Sequence, residues 1–267
     1  MERKKLENRV ALVTGASRGT GAAIALAFAE AGADLILAAR GVEEMERLAG
    51  EIAALGRRAL VIPTDMLHAD AVRAMVEQGA EHFGRIDILV NNAGGAGAYI
   101  EGGSTGLLDI SLEAWDALFA LNVRSQFVAT QATALHMRTM GRGSIINITS
   151  VHALFPQPDY HGYCAAKAAL HELTRMWAVE LGAYGIRVNS IAPGIIVAGL
   201  QGRRLLDSEE ALRSREAMIP LGRLGVPADI APAAVYLASD DAAYVSGATL
   251  MISGGWRGDK APAPRPG

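Results

Sequence analysis

Val10-Ala11-Leu12-Val13-Thr14-Gly15-Ala16-Ser17-Arg18-Gly19-Thr20-Gly21 runs from an apolar pentad through a glycine-punctuated turn into a helical pattern. The pentad reads as a strand buried on both faces. Gly15 permits a tight turn. Gly19 and Gly21 keep side chains away from the helix start, where unpaired N–H groups and the helix dipole favour an anion. A glycine cluster by itself is a weak sign, and an ordinary glycine-rich β-α turn is the bland alternative. The strand before it and the helix after it point to the pyrophosphate of a dinucleotide, with Gly15, Ser17, Arg18, Gly19, Thr20 and Gly21 as contacts.

Working outward, the same beat repeats. Val10–Thr14, 33–39, Ala59–Pro63, 86–91, 144–149, 187–192 and Thr249–Ile252 read as strands. Segments 21–31, 42–55, Ala69–Phe83, 112–140, 160–183 and 228–238 read as helices. This alternation predicts an α/β fold, a doubly wound parallel sheet with helices on both faces. No linker interrupts it, so residues 1–257 are expected to form a single domain. Two stretches break the beat. The 94–106 segment carries six glycines, at 94, 95, 97, 102, 103 and 106, and reads as a loop. The 195–219 segment follows Pro193-Gly194 and reads as a substrate lid. The proline-rich tail, 258–267, is expected to be disordered.

Composition narrows the function classes. A chain of 267 residues with 51% hydrophobic content can bury a large core without a metal or disulfide to hold it. A net charge of -3 argues against a general nucleic-acid partner. The lone cysteine, Cys164, has no internal partner, which fits a reducing compartment. The first ten residues lack the apolar run of a signal peptide, and no stretch has the ~20 apolar residues of a membrane span. The expectation is a cytoplasmic protein with no membrane contact. Six scattered histidines and one cysteine suggest no metal site.

The second strand ends Leu35-Ile36-Leu37-Ala38-Ala39-Arg40. A fold that prefers NAD usually carries an acid here, about 20 residues beyond the glycine turn, to hold the ribose hydroxyls. Ala39 stands at that place, followed by Arg40, and Arg18 lies in the turn nearby. Singly, each arginine reads as a solvated surface charge. Together they suit a 2′-phosphate, hence NADP(H) rather than NAD, with NAD still possible. Glu43 and Glu44 fall too far into the next helix, on this reading, to serve the ribose. Asp65, in Pro63-Thr64-Asp65-Met66, has two readings: an acceptor for the adenine amino group, or a cap for the following turn. Met66 is a neighbouring candidate. The fourth strand ends Asn91-Asn92-Ala93-Gly94, where Asn91, Ala93 and Gly94 are candidate ribose contacts and the asparagines also suit a turn.

Tyr163-Cys164-Ala165-Ala166-Lys167 lies in a helical pattern, so Tyr163 and Lys167 share a face. A phenol beside a fixed ammonium is prepared to give or take a proton. Ser150 ends the fifth strand, thirteen residues before Tyr163. The bland readings are a strand terminator for Ser150 and a helix-face pair with a snorkelling lysine for Tyr163 and Lys167. Their conjunction with a nucleotide turn suggests coupled hydride and proton transfer.

These residues, in their order, resemble the classical short-chain dehydrogenase/reductase family: the glycine turn, Asn91-Asn92-Ala93-Gly94, Asn122, Ser150, Tyr163-x-x-x-Lys167 and Pro193-Gly194. The resemblance spans roughly residues 8–256 and implies a Rossmann-type fold. It implies that Tyr163 is the catalytic acid/base, that Lys167 lowers its pKa and holds the nicotinamide ribose, and that Ser150 polarises the substrate oxygen. It implies that Asn122 organises a water linking Lys167 to solvent, and that Pro193, Gly194 and Ile196 touch the nicotinamide. A small-molecule ketone or alcohol substrate and a homotetramer built through helices 112–140 and 160–183 and the last strand are also implied. The chain departs from the family pattern at Thr20, where an aliphatic residue is usual, at Ala198, where a threonine is common, and in its long 94–106 loop. Gly95, Ala96, His152, Ala153, Leu154, Tyr160, Ile195 and Leu200 are the expected substrate wall, mainly apolar. A 3-oxoacyl thioester reductase of the same family is an alternative; it would need a basic dock for an acidic carrier, and beside the pocket only Arg203 and Arg204, in the lid, form an adjacent basic pair. A catalytically silent NADP-binding regulator is another.

Overall fold

The computed structural model describes residues 4–96, 100–103, 105–198 and 208–257. Seven strands form one sheet: β1 (Val10–Thr14), β2 (Asp34–Ala39), β3 (Ala59–Pro63), β4 (Ile88–Asn91), β5 (Gly143–Ile148), β6 (Ile186–Pro193) and β7 (Thr249–Ile252). Their order in space is β3-β2-β1-β4-β5-β6-β7, and every pairing is parallel. The helices are α1 (Gly19–Glu30), α2 (Val42–Ala54), α3 (Ala69–Phe83), α4 (Leu112–Phe119), α5 (Ser125–Met140), α6 (His161–Gly182), α7 (Glu209–Ala217) and α8 (Pro227–Ala238). The architecture is the expected doubly wound, Rossmann-type domain.

The central strands are buried at nearly every position, and mostly apolar, because each face has its own core. Val13, Leu35 and Leu37 point to one side, against Ile24 and Phe28 of α1 and Ile230 of α8. Leu12 and Ile36 point to the other, against Val72 and Met75 of α3 and Leu170 and Trp177 of α6. Burying each such side chain contributes roughly 1.5–3 kcal/mol. Alternation along a strand therefore separates two apolar layers rather than apolar from polar. Among the described residues, no helix is long and apolar enough to cross a membrane.

Two expectations need correction. The 112–140 segment is not one helix: a π-helical turn, Ala120–Arg124, separates α4 from α5. Side chains hold that turn open. Asn122 Nδ2 donates to Leu118 O at 3.0 Å and Ser125 Oγ donates to Leu121 O at 2.6 Å, competing with the backbone for those carbonyls. The 195–219 segment is not wholly irregular either. It contains α7, started by Ser208, whose Oγ accepts from Ala211 N at 3.1 Å. α7 buries none of its residues, so it lacks the apolar stripe that announces a helix in sequence. Residues 199–207 of that segment, including Leu200, Arg203 and Arg204, lie outside the described residues, as do Gly97 and the 258–267 tail.

Strand order reverses between β1 and β4, and such a reversal opens a crevice at the strand C-termini. Here the crevice is tied shut at its base. Thr14 Oγ1 accepts from Asn92 N and Ala93 N, both at 3.0 Å, and Asn92 Nδ2 donates to Thr14 O at 2.8 Å.

Candidate active site

A cleft of about 1020 Å³ lies at the C-terminal edge of the sheet. Every cofactor or catalytic candidate borders it except Asn91 and Asn122. At its nucleotide end, Gly15 and Gly19 have φ of 67° and 60°, the left-handed region that favours glycine. A Cβ on Gly15 would come within 2.8 Å of Asn92 Nδ2, so this glycine also lets the turn close on the β4 end. The first turn of α1 has no side-chain cap and no acidic residue. Its N–H groups are left for an anion, so the residues present fit a pyrophosphate.

Arg18 and Arg40 stand exposed on the cleft wall, and among the described residues neither is in a salt bridge. Glu44 corrects the sequence reading: it borders the cleft. Its Oε2 would lie 2.6 Å from a Cβ on Gly41, with Ser17 Cβ 3.3 Å from the same point. As the third residue of α2, it reaches back over the helix start toward Gly41 and Ser17. Asp65 closes a turn, the second of its two readings. Its Oδ1 accepts from Leu67 N at 3.0 Å, and the residue still borders the cleft.

Asn91 is a correction as well. It is fully buried, and its Nδ2 donates to Thr130 Oγ1 and Asn147 Oδ1, both at 2.8 Å. The period-2 alternation of β4 turns Asn91 into the core and brings Asn92 to the cleft.

At the other end, Ser150, Tyr163 and Lys167 meet. Ser150 caps a 3-10 turn, Val151–Ala153, with Oγ accepting from His152 N at 3.1 Å. Lys167 Nζ sits 5.8 Å from the Tyr163 ring centroid and donates to Ile148 O at 2.9 Å. Lys167 is 3% exposed, and burial pulls its pKa down to about 8. Asn122 does not reach the cleft surface. It is fully buried and grips the 94–95 backbone, with Oδ1 accepting from Gly95 N and Nδ2 donating to Gly95 O, each at 3.0 Å. A Cβ on Gly94 would lie 2.7 Å from Asn122 Oδ1 and 3.1 Å from Lys167 Nζ. Glycine at 94 therefore lets Asn122 and Lys167 approach each other. Gly194 is explained by a neighbouring strand: a Cβ there would meet Ser253 Cα at 2.8 Å.

The substrate wall is more aromatic than expected. Gly95, Ala96, His152, Tyr160 and Ile195 border the cleft, whereas Ala153 and Leu154 do not. Sequence reasoning missed Ile100, Gln157, Met218 and Trp256, which do. Trp256 follows β7 after Gly254 and Gly255, whose φ of 62° and 88° turn the chain back over the cleft. Its place beyond a strand C-terminus was a usable signal. His152 stacks on Tyr160 at 6.2 Å and meets Trp256 edge-on at 5.5 Å. Burial lowers the His152 pKa, opposed by its contact with Phe155 O.

Residues 15–257 match the family model described as enoyl-(acyl carrier protein) reductase. The chain is 40% identical over 253 residues to an uncharacterized oxidoreductase of Mycobacterium tuberculosis, covering 94% of this chain and 93% of that one. It is 35% identical over 251 residues to a 3-oxoacyl-[acyl-carrier-protein] reductase of Thermotoga maritima, covering 94% and 98%. The solved structure of a 7α-hydroxysteroid dehydrogenase, complexed with NADH and 7-oxo glycochenodeoxycholic acid, superposes with a TM-score of 0.88 at 34% identity, covering 96% and 97%. The chain is an oxidoreductase that acts on alcohol or ketone groups with a nicotinamide cofactor, and it belongs to the classical short-chain dehydrogenase/reductase family.

Proposed function

We propose that this protein is an NADP(H)-dependent carbonyl reductase or secondary-alcohol dehydrogenase with Tyr163 as its acid/base. The observation that carries this is the meeting of Ser150, Tyr163 and Lys167 on one cleft with the glycine turn. When bound, the nicotinamide supplies or accepts the hydride. In the reducing direction Ser150 Oγ and the Tyr163 hydroxyl hydrogen-bond the substrate oxygen as it gains negative charge. Tyr163 then gives its proton to that oxygen. Lys167 favours the resulting phenolate, and a value of about 8 places its own proton close to exchange at working pH. The oxidation runs these steps in reverse. Asn122 serves by fixing the Gly95 backbone beside Lys167, the place expected for the water that returns the proton.

Gly15, Ser17, Gly19, Thr20 and Gly21 would hold the pyrophosphate, and Arg18 and Arg40 support a 2′-phosphate. Glu44 works against it, so NAD remains a usable second cofactor. Met66, Ala93, Pro193, Gly194 and Ile196 complete the cofactor wall. Met218, just beyond α7, borders the cleft, which supports the lid reading of this segment. Exposed Phe127 and Leu135 on α5, Met176 and Val179 on α6 and Met251 on β7 support the homotetramer.

Reduced-nicotinamide absorbance, followed with NADP and NAD across ketones, secondary alcohols and a 3-oxoacyl thioester, tests this reading. Turnover of a simple ketone or alcohol with NADP supports it. The 35% identity to a 3-oxoacyl reductase favours one second reading, and turnover of the thioester alone would establish it. No turnover with tight NADP binding would mark a silent regulator.

A further inference from the structure

The aromatic wall beside Ser150 carries two polar atoms that the proposed mechanism does not use. The first belongs to His152. Its Nδ1 lies 3.4 Å from Phe155 O. A carbonyl oxygen only accepts, so Nδ1 carries the hydrogen. Burial favours the neutral ring, which leaves Nε2 with a lone pair. The second is the indole N–H of Trp256. Trp256 is 3% exposed, and its Nε1 is buried without a hydrogen-bond partner among the described residues. Such orphans are uncommon in folded proteins, and a partner that arrives with a ligand resolves them.

The two rings stand together. Their centroids are 5.5 Å apart with planes at 89°, and His152 lies 6.5 Å from the Tyr163 ring. Both border the cleft. A hydroxyl group donates one hydrogen bond and accepts others. It matches an acceptor and a donor carried on two rings in contact, where a methyl group satisfies neither.

We propose that His152 and Trp256 form a second polar subsite, and that the preferred substrates are vicinal diols or the corresponding α-hydroxyketones. Ser150 and Tyr163 hold the reacting oxygen. The neighbouring hydroxyl donates to His152 Nε2 and accepts from Trp256 Nε1. The face of Tyr160 covers the carbon skeleton. This rests on the reductase/dehydrogenase reading above and names its substrate class. A site with buried hydrogen-bonding groups discriminates against an analogue that leaves them unpaired far better than a smooth apolar wall does.

The test compares cyclohexanediol with cyclohexanol on the NADP-loaded enzyme, by kcat/KM and by saturation-transfer NMR of the bound alcohol. The wild type is expected to favour the diol by at least about tenfold. In His152→Leu and in Trp256→Phe the ratio should fall toward one. His152→Gln, which retains an acceptor, should keep part of the preference, a rescue that lost packing would not give. A wild-type ratio near one, or a ratio unchanged in both loss variants, would overturn the subsite. Absence of turnover with both alcohols would count against the carbonyl-reductase and secondary-alcohol-dehydrogenase reading instead. The NMR signal then decides the subsite alone: diol binding lost in His152→Leu supports it, and diol binding unchanged overturns it.

Discussion

The two ends of the cleft recognise charge by opposite means. The nucleotide end is open and built from backbone, with left-handed glycines, an uncapped α1 and two exposed arginines. Its charges are solvated, so they contribute little to stability and are easily exchanged. The catalytic end is closed. Lys167 is buried without a carboxylate partner among the described residues, and Asn122 is locked to Gly95. There the fold tolerates an expensive charge beside Tyr163, where the proposed mechanism needs a proton carrier. Binding and chemistry should therefore fail separately, with larger effects at the buried end.

The largest effect is expected for Tyr163→Phe. Removing the proton donor should lower kcat by roughly 10²–10⁴, measured by nicotinamide absorbance at saturating substrate. Retained turnover would break the comparison at once. Lys167→Met comes next and is read as stability. Burial lowers the lysine's pKa from 10.5 to about 8. Below about pH 8 both folded and unfolded chains hold the proton, and the buried charge costs the fold its full penalty. Between about 8 and 10.5 the folded chain releases its proton first, so stability rises with pH. Allowing for the lost bond to Ile148 O, Lys167→Met should gain about 2 kcal/mol at neutral pH while losing activity. Urea unfolding without cofactor should show that gain shrinking as pH rises. A variant less stable at neutral pH would mean that the charge is not a burden.

At the open end, Arg40→Asp should shift the NADP-to-NAD preference in kcat/KM toward NAD by roughly 10–100-fold, since a charge-assisted bond contributes about 1.5–3 kcal/mol. An unchanged ratio would assign the 2′-phosphate elsewhere. The smallest effect belongs to Glu44→Gln. Removing one solvated charge near the phosphate should favour NADP by about two- to fivefold, seen by titrating 2′,5′-ADP against 5′-ADP. No change would place the Glu44 carboxylate beyond reach of the ribose.

The open end was the more legible in sequence, because backbone recognition leaves a glycine signature and strand positions fix Arg40 and Ala39. Glu44 escaped, since its long side chain reaches back along α2 farther than residue counting allows. Tyr163 and Lys167 were legible from helical spacing. The break at Asn122 was not, because side chains on Asn122 and Ser125 create the π turn through contacts that no periodicity records. Asn91 and Asn92 form an adjacent pair, and only the register of β4 separates the core asparagine from the cleft one. Trp256 lies far along the chain, and only its place beyond the β7 C-terminus marks it: it reaches the site through β7 and two glycine turns.

On the proposed function, cofactor recognition and proton transfer occupy separable ends of one cleft. Titrating NADP into Tyr163→Phe and Arg40→Asp side by side, with turnover measured on the same preparations, tests that separation. The expected result is near-wild-type NADP affinity with collapsed kcat in Tyr163→Phe, and an NADP affinity that falls much more than kcat in Arg40→Asp. Equal loss of affinity and turnover in both variants would contradict it.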